Sequence, residues 1–310
     1  DISHNPFGLH FLTTRILSPT LKKVAFDSIS DQHLADDMHH LTSWMQTTSH
    51  LQSLCLGNNK VGDAACVELA KGLSSLQALQ TLGVEGLGLT GNGLQILLES
   101  LHNPHLLTSL RVSKNRLERR GADELGKLLS CCSRLQLLDL AATEIDDGAL
   151  LEGSLAAGLS ACTSLTWLDL QENKVTSAAF GQLLESIEQC GSQLVFLELS
   201  GNCVGGTGAR QLVEQLHCGN LRTLKIARMG FGDALTQEAA TGGGLNQLLQ
   251  RHCLLQHLDL EHNEMTDHEA LIRCFEASEH PLDVRLQGNQ FSSSGLFQIS
   301  ERRGPRLLDL

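Results

Sequence analysis

Positive charge is scarce. Lys and Arg number 23 against 35 Asp and Glu, which leaves a formal net charge of −12 at pH 7 and a pI near 5.6. Sequence-independent binding to phosphate backbones needs clustered positive charge, so this balance argues against it and suits a basic or mixed-charge partner better. Long apolar runs are missing too: none approaches the ~18 consecutive apolar residues of a membrane span. Asp1 is neither an initiator Met nor part of a charged-then-apolar leader, and the expectation is a soluble piece of something longer. There is no C-x-x-C and no N-x-S/T acceptor, and both absences favour the cytoplasm or nucleus. Gly242-Gly243-Gly244 is followed by Leu245-Asn246, not by the Lys-Ser/Thr pair of a phosphate cradle, and reads as a flexible insertion over 233–244. No Ser/His/Asp constellation, nucleophile elbow or dinucleotide fingerprint is present in its strand and helix context. The sequence therefore predicts no enzyme, no cofactor and no metal centre.

What the chain does have is leucine at fixed spacing. With 41% apolar and 19% charged residues it can bury a core, and one hexad, L-x-x-L-x-L, recurs down its length. Copies start at residues 21, 51, 79, 107, 135, 165, 194, 221, 255, 281 and 305. Three residues after most hexads stands an Asn, followed two later by an apolar residue: Asn59/Val61, Asn115/Leu117, Asn173/Val175, Asn202/Val204, Asn263/Met265 and Asn289/Phe291. The amide can satisfy backbone groups left open where a strand turns. Leu87, Thr143 and Met229 hold the Asn place in three copies, whose turns should be looser or differently bonded. After each turn the apolar period changes from 2 to about 3.6, as in Leu94, Leu97, Leu98, Leu101 and in Phe180, Leu183, Leu184, Ile187. Each repeat is strand, turn, helix. Gly62-Asp63, Gly93, Gly121 and the Gly205 to Gly208 run are expected to open helices.

A long unit with a full helix resembles the ribonuclease-inhibitor class of leucine-rich repeat. The resemblance covers essentially the whole chain and implies a right-handed α/β solenoid, a horseshoe with a parallel concave sheet and outer helices. The chain then reads as one array over residues 1–310, of about eleven units, cut inside a repeat at both ends: Asp1 to Phe7 looks like the end of a strand with its Asn, and Arg306 to Leu310 like a strand with no helix after it. The resemblance implies protein recognition and scaffolding, with several possible settings. Ribonuclease inhibitors occlude basic nucleases with an acidic, Trp-bearing concave face. Nucleotide-binding innate immune receptors use such arrays for ligand sensing and autoinhibition. Tonsoku-like replication-fork repair scaffolds end in one, and GTPase-activating proteins for Ran are built on one, though none of the latter's functional residues can be matched here.

Alternate residues of a strand face opposite ways, so the hexad leucines point inward while its third, fifth and seventh positions point out of the sheet. The third-position row runs Lys23, Ser53, Thr81, Ser109, Leu137, Trp167, Phe196, Thr223, His257, Asp283. Strands stack about 4.8 Å apart, so Leu137, Trp167 and Phe196 are expected to form one apolar patch. The fifth-position row runs Ala25, Cys55, Gly83, Arg111, Asp139, Asp169, Glu198, Lys225, Asp259, Arg285. Asp139, Asp169 and Glu198, extended by Glu172, form an acidic side, and Lys225 and Arg228 mark a basic strip one repeat later. Aromatic anchors ringed by charge are the usual composition of an interface hot spot, and leaving each ring in water forgoes roughly 1.5–3 kcal/mol of burial. The acidic row would pair with a basic partner.

Other positions read as structure. Cys131, Cys162, Cys190, Cys218 and Cys253 fall where a helix hands over to the next strand, and a reduced thiol fits there as a small apolar side chain. Cys55, on an outward position, is the candidate reactive thiol. His257, Asp259 and Glu261 share a strand face, but residues two apart diverge by about 7 Å, so a metal site would need ligands from the next repeat. Trp44, beside Met38, Leu41 and Met45, reads as packing on the helix side.

Overall fold

The computed structural model describes residues 13, 17–28, 34–190, 193–237, 244–276, 281–301 and 308–309, and the side chains of 34–37 and 308–309 are not described. Two compact units divide the chain, residues 1–165 and 166–310. In the first, strands β1 (Lys23–Ala25), β2 (Ser53–Cys55), β3 (Thr81–Gly83), β4 (Ser109–Arg111) and β5 (Leu137–Asp139) alternate with helices. They pair in parallel and in chain order, with Lys23, Ser53, Thr81, Ser109 and Leu137 abreast. The second unit contains β6 (Trp167–Asp169), β7 (Phe196–Glu198), β8 (Thr223–Lys225), β9 (His257–Asp259), β10 (Asp283–Arg285) and β11 (Leu308–Asp309). There Trp167, Phe196, Thr223, His257 and Asp283 stand abreast. Both units have the strand, turn, helix repeat of an α/β leucine-rich-repeat solenoid.

The hexad makes the core. Its central leucines, among them Leu54, Leu82, Leu110, Leu138, Leu168, Leu197 and Leu224, are all 0% exposed. Helix residues at 3.6 spacing join them inside: Leu94, Leu97, Leu125 and Leu129 in the first unit, Phe180, Leu183, Leu184 and Ile187 in the second. Each buried leucine contributes roughly 1.5–3 kcal/mol, and because every repeat repeats it, the strand length of three residues suffices. Trp44 is buried at 6% exposure beside Met38, Leu41 and Met45, as packing on the helix side requires.

The turn asparagines Asn59, Asn115, Asn202, Asn263 and Asn289 each bind two repeats. Asn115 Nδ2 donates to the carbonyls of Val112 at 2.9 Å and Val84 at 2.8 Å, while its Oδ1 accepts from the Leu89 amide at 3.0 Å. Asn202 does the same with Leu199, Leu170 and Val175, and Asn263 with Leu260, Ile226 and Met229. Where Asn is replaced, the bonding differs: the Thr143 hydroxyl donates to the Leu140 carbonyl at 2.8 Å. Leu87 and Met229 are fully buried and offer only backbone, the Leu87 carbonyl accepting from Val61 and Gly62.

Two expectations need correction. Gly62 and Gly205 do adopt left-handed φ, +67° and +60°, but Gly93 and Gly121 lie inside the helices Gly91–Glu99 and Glu118–Leu129. They are glycine for close approach: a Cβ on Gly93 would strike the Asp63 carboxylate, and one on Gly121 would sit 3.0 Å from the Gly91 Cα. Thr90 is the true cap of that first helix, accepting from the Asn92 amide at 3.2 Å. The cysteine pattern holds at Cys162, Cys190 and Cys218, but Cys131 and Cys253 are exposed. The inward place belongs to their neighbours Cys132 and His252, both 0% exposed, because the handover falls one residue away from where periodicity puts it. Burial pushes the Cys132 and Cys190 thiols up to about 12, so they are inert packing groups. All ten cysteines are free thiols. The segment Asp1 to Phe7, residues 238–243 of the insertion and most of the 305–310 copy lie outside the described residues.

Candidate recognition face

Because Leu168, Leu197 and Leu224 turn inward, the residues on either side of them face away from the core. On this face of the second unit Trp167 and Phe196 are half-buried, and their rings stack with centroids 4.9 Å apart and planes 8° from parallel. Register alone sets them side by side. The Lys225 ammonium, one repeat on, lies 5.3 Å from the Phe196 ring centroid and 3.3 Å from Glu198 Oε2. One cation thus holds both the stack and the carboxylate beside it.

The acidic side is not the solvated strip the sequence suggests. Asp169 and Glu198 are only 6% and 4% exposed. Glu198 Oε1 accepts from the Ser200 amide at 3.0 Å, and Asp169 accepts from the Gln171 amide at 2.9 Å and its Nε2 at 3.2 Å. Their buried oxygens thus find local donors. Glu172 is exposed and pairs with Arg228 at 3.4 Å. The predicted acidic and basic rows are therefore tied to one another within the unit. In the first unit Leu137 and Asp139 are half-buried on the strand face, and Asp139 accepts from the Ala141 amide at 3.1 Å and the Ser113 hydroxyl at 2.8 Å.

Beyond Lys225 the second unit's face sinks into a hollow of about 280 Å³, lined by Thr223, Lys225, His257, Leu258, Asp259, Asp283 and Arg285. His257 Nδ1 lies 3.1 Å from Asp283 Oδ2, and Asp259 accepts from the Glu261 amide at 3.0 Å. These groups answer one another and do not converge: among the described residues no three His, Cys, Asp or Glu are placed to hold a metal ion. Cys55 is half-buried, and burial, then the charges of Glu85 and Asp27, push its thiol above the ordinary range. That lowers its thiolate fraction and makes it slower to react than an ordinary thiol, which goes against the reading of a reactive one. Glu85 was missed. It occupies a seventh position, facing outward like the third and fifth, and the signal lay in the glycines at 57 and 83 that leave room around it.

The family described as Leucine Rich repeat matches residues 194–213 and 251–268. The chain is a leucine-rich-repeat array. It is 30% identical over 275 residues to the NACHT, LRR and PYD domains-containing protein 5 of Mus musculus, covering 84% of this chain and 22% of that protein. It is 28% identical over 257 residues to the Tonsoku-like protein of Danio rerio, with coverage of 70% and 18%. With the ribonuclease inhibitor of Sus scrofa it shares 26% identity over 308 residues, 95% of this chain and 64% of that protein. The chain thus spans about a fifth of the first two relatives. Among solved structures, a chain of the yeast Rad7 and Elc1 complex superposes with a TM-score of 0.62 at 14% identity, over 97% of this chain and 70% of that one. A leucine-rich-repeat protein of Leptospira interrogans does so with 0.54 at 16%, over 94% and 72%. These likenesses establish the fold. Repeats of this kind imply a protein-interaction module, and their families are typically non-enzymatic. Among the described residues no helix is long and apolar enough to cross a membrane.

Proposed function

We propose that the chain is a non-enzymatic recognition module that docks a protein partner on the strand face of its second unit, with Trp167 and Phe196 as apolar anchors. The stacked, half-exposed ring pair carries the reading. Rings fixed by strand register and by Lys225 lose little freedom on binding, so their burial goes into affinity. Lys225, Arg228 and Glu172 form the charged rim. Asp169 and Glu198 support the rings and Lys225 from below; Leu137 and Asp139, on the first unit, are proposed as contacts of that unit by itself. The partner is of mixed charge, since the rim offers both signs, and the compartment is the cytoplasm or nucleus. Within a longer chain the module would act as a scaffold or sensor segment, as in NACHT or Tonsoku-like relatives; standing alone it would resemble ribonuclease inhibitor. The test is affinity purification from cell extract with wild type, Trp167→Ala and, as a control, Val67→Ser at an exposed apolar site on the helix Cys66–Leu73. The reading requires partners that Trp167→Ala loses and Val67→Ser keeps. Identical partner sets for all three chains overturn it.

A further inference from the structure

The first unit's strand face is built the opposite way from the second's. Its third positions include Ser53, Thr81 and Ser109, with Lys23 and Leu137 at the two ends of the row, and its fifth positions include Ala25, Cys55 and Gly83. Glu85 follows the third hexad, and its side chain lies across this low floor. A Cβ added to Gly57 would meet its Cδ and Oε1 at 2.8 Å, and one added to Gly83 would meet its Oε2 at 2.9 Å. The carboxyl fills the space that two absent side chains leave. Its Oε2 is buried and has no hydrogen-bond partner, and neither has the buried Oγ of Ser109 on the same face.

An ionised oxygen in that position is costly. Burial raises the Glu85 carboxyl above its ordinary range, the charges of Asp27 and Asp139 add to the shift, and the Glu85 amide and the Arg111 charge oppose it. Asp27 is already engaged by the Gly57 amide at 2.6 Å, and Asp139 by Ala141 and Ser113. At Glu85 two further carboxyl charges thus add to the cost of ionisation and one guanidinium charge opposes it. A positive group brought against the half-buried Glu85 carboxyl would balance the site, and a floor of small residues lets an extended chain come close enough to deliver it.

We propose that this trough takes the cationic side chain, lysine or arginine, of a basic segment in a protein partner, with Glu85 as its acceptor. The proposal rests on the chain being a protein-recognition module, but not on the Trp167 surface. The probe is a fluorescently labelled octa-arginine peptide, titrated at about 0.15 M salt, where long-range attraction to the acidic chain is screened beyond ~8 Å. The chains are the full 310 residues as wild type, Glu85→Gln, Glu152→Gln and Trp167→Ala. Glu85→Gln should weaken binding about tenfold or more, as loss of a buried acceptor for a charge does. Glu152→Gln, which removes the same charge from an exposed pair with Arg119, and Trp167→Ala should stay within about twofold, as rim or uninvolved positions do. Equal losses in Glu85→Gln and Glu152→Gln, an unchanged Glu85→Gln, or no binding by wild type overturn the proposal. Loss in Trp167→Ala would put the cation on the other surface and overturn it too. A second readout needs no variant: bound peptide should slow alkylation of Cys55 by N-ethylmaleimide while the exposed Cys203 and Cys253 react as before. Unprotected Cys55 in the presence of bound peptide also overturns it.

Discussion

The two strand faces stand on interiors built to the same pattern and differ in what looks outward. Beneath Ser53, Thr81 and Ser109 in the first unit, and beneath Trp167 and Phe196 in the second, run the same buried leucines in the same parallel register. One face is a low floor with a carboxyl lying over two glycines; the other carries a ring stack pinned by a lysine. Fold and outward chemistry are thus encoded on alternate residues of short strands, so either can change without the other.

If the cores are equivalent, Leu110→Ala and Leu168→Ala, each truncating a side chain with 0% exposure, should cost about the same, roughly 2–5 kcal/mol in urea unfolding. Clearly unequal costs would break the equivalence. On the faces the symmetry should fail: Trp167→Ala should weaken a confirmed partner by about 2–4 kcal/mol with the fold retained, and Ser109→Ala should not. The turn ladder should again treat the units alike. Asn115→Ala and Asn202→Ala each remove amide bonds that span two repeats and should each lose roughly 1–3 kcal/mol of stability; a cost near zero for either would show that its turn is held by the backbone alone.

A smaller effect should separate the units by pH. His252, in the second, is 0% exposed with Nε2 unpartnered, and burial holds its imidazole below the ordinary value of 6.5 despite the Leu248 carbonyl and Glu188. The unfolded chain takes up the proton first, so this contribution is complete above pH 6.5 and declines as pH falls below it. Among the described residues the first unit has no buried histidine. Hydrogen exchange followed unit by unit should therefore show acid sensitivity centred on the second, removed by His252→Leu; equal acid sensitivity in both units would refute the assignment. Least of all should come from exposed ion pairs. Arg119→Ala in the first unit and Arg228→Ala in the second each break a pair whose partners are more than half exposed, and each should change stability by less than about 1 kcal/mol.

Much of this is legible in the sequence. The hexads named the strands, and counting their third positions gave the register residue for residue, because period-2 geometry leaves a strand with one buried face only one choice. The asparagines were readable as turn ligands for a related reason: a buried amide must bond, and the open backbone groups at a strand end are what lies in reach. What failed was degree. Asp169 and Glu198 occupy the predicted positions but are buried and bonded to Gln171, Ser200 and Lys225. Cys131 and Cys253 gave way to Cys132 and His252, a slip of one residue that helical periodicity does not resolve at a helix end. Gly93 and Gly121 looked like helix openers, and only the neighbouring helix shows why they are glycine.

By itself, the order of residues determined the repeat, the parallel stacking and the identity of every outward position, since these follow from local periodicity and the need to bury leucine. Tertiary structure alone decided which outward carboxylates are shielded, that Lys225 bridges Phe196 and Glu198, and that Glu85 lies across Gly57 and Gly83 with an oxygen unanswered. Those depend on contacts between residues a whole repeat apart, where side-chain length and the space left by a neighbour set the outcome and no local pattern records it.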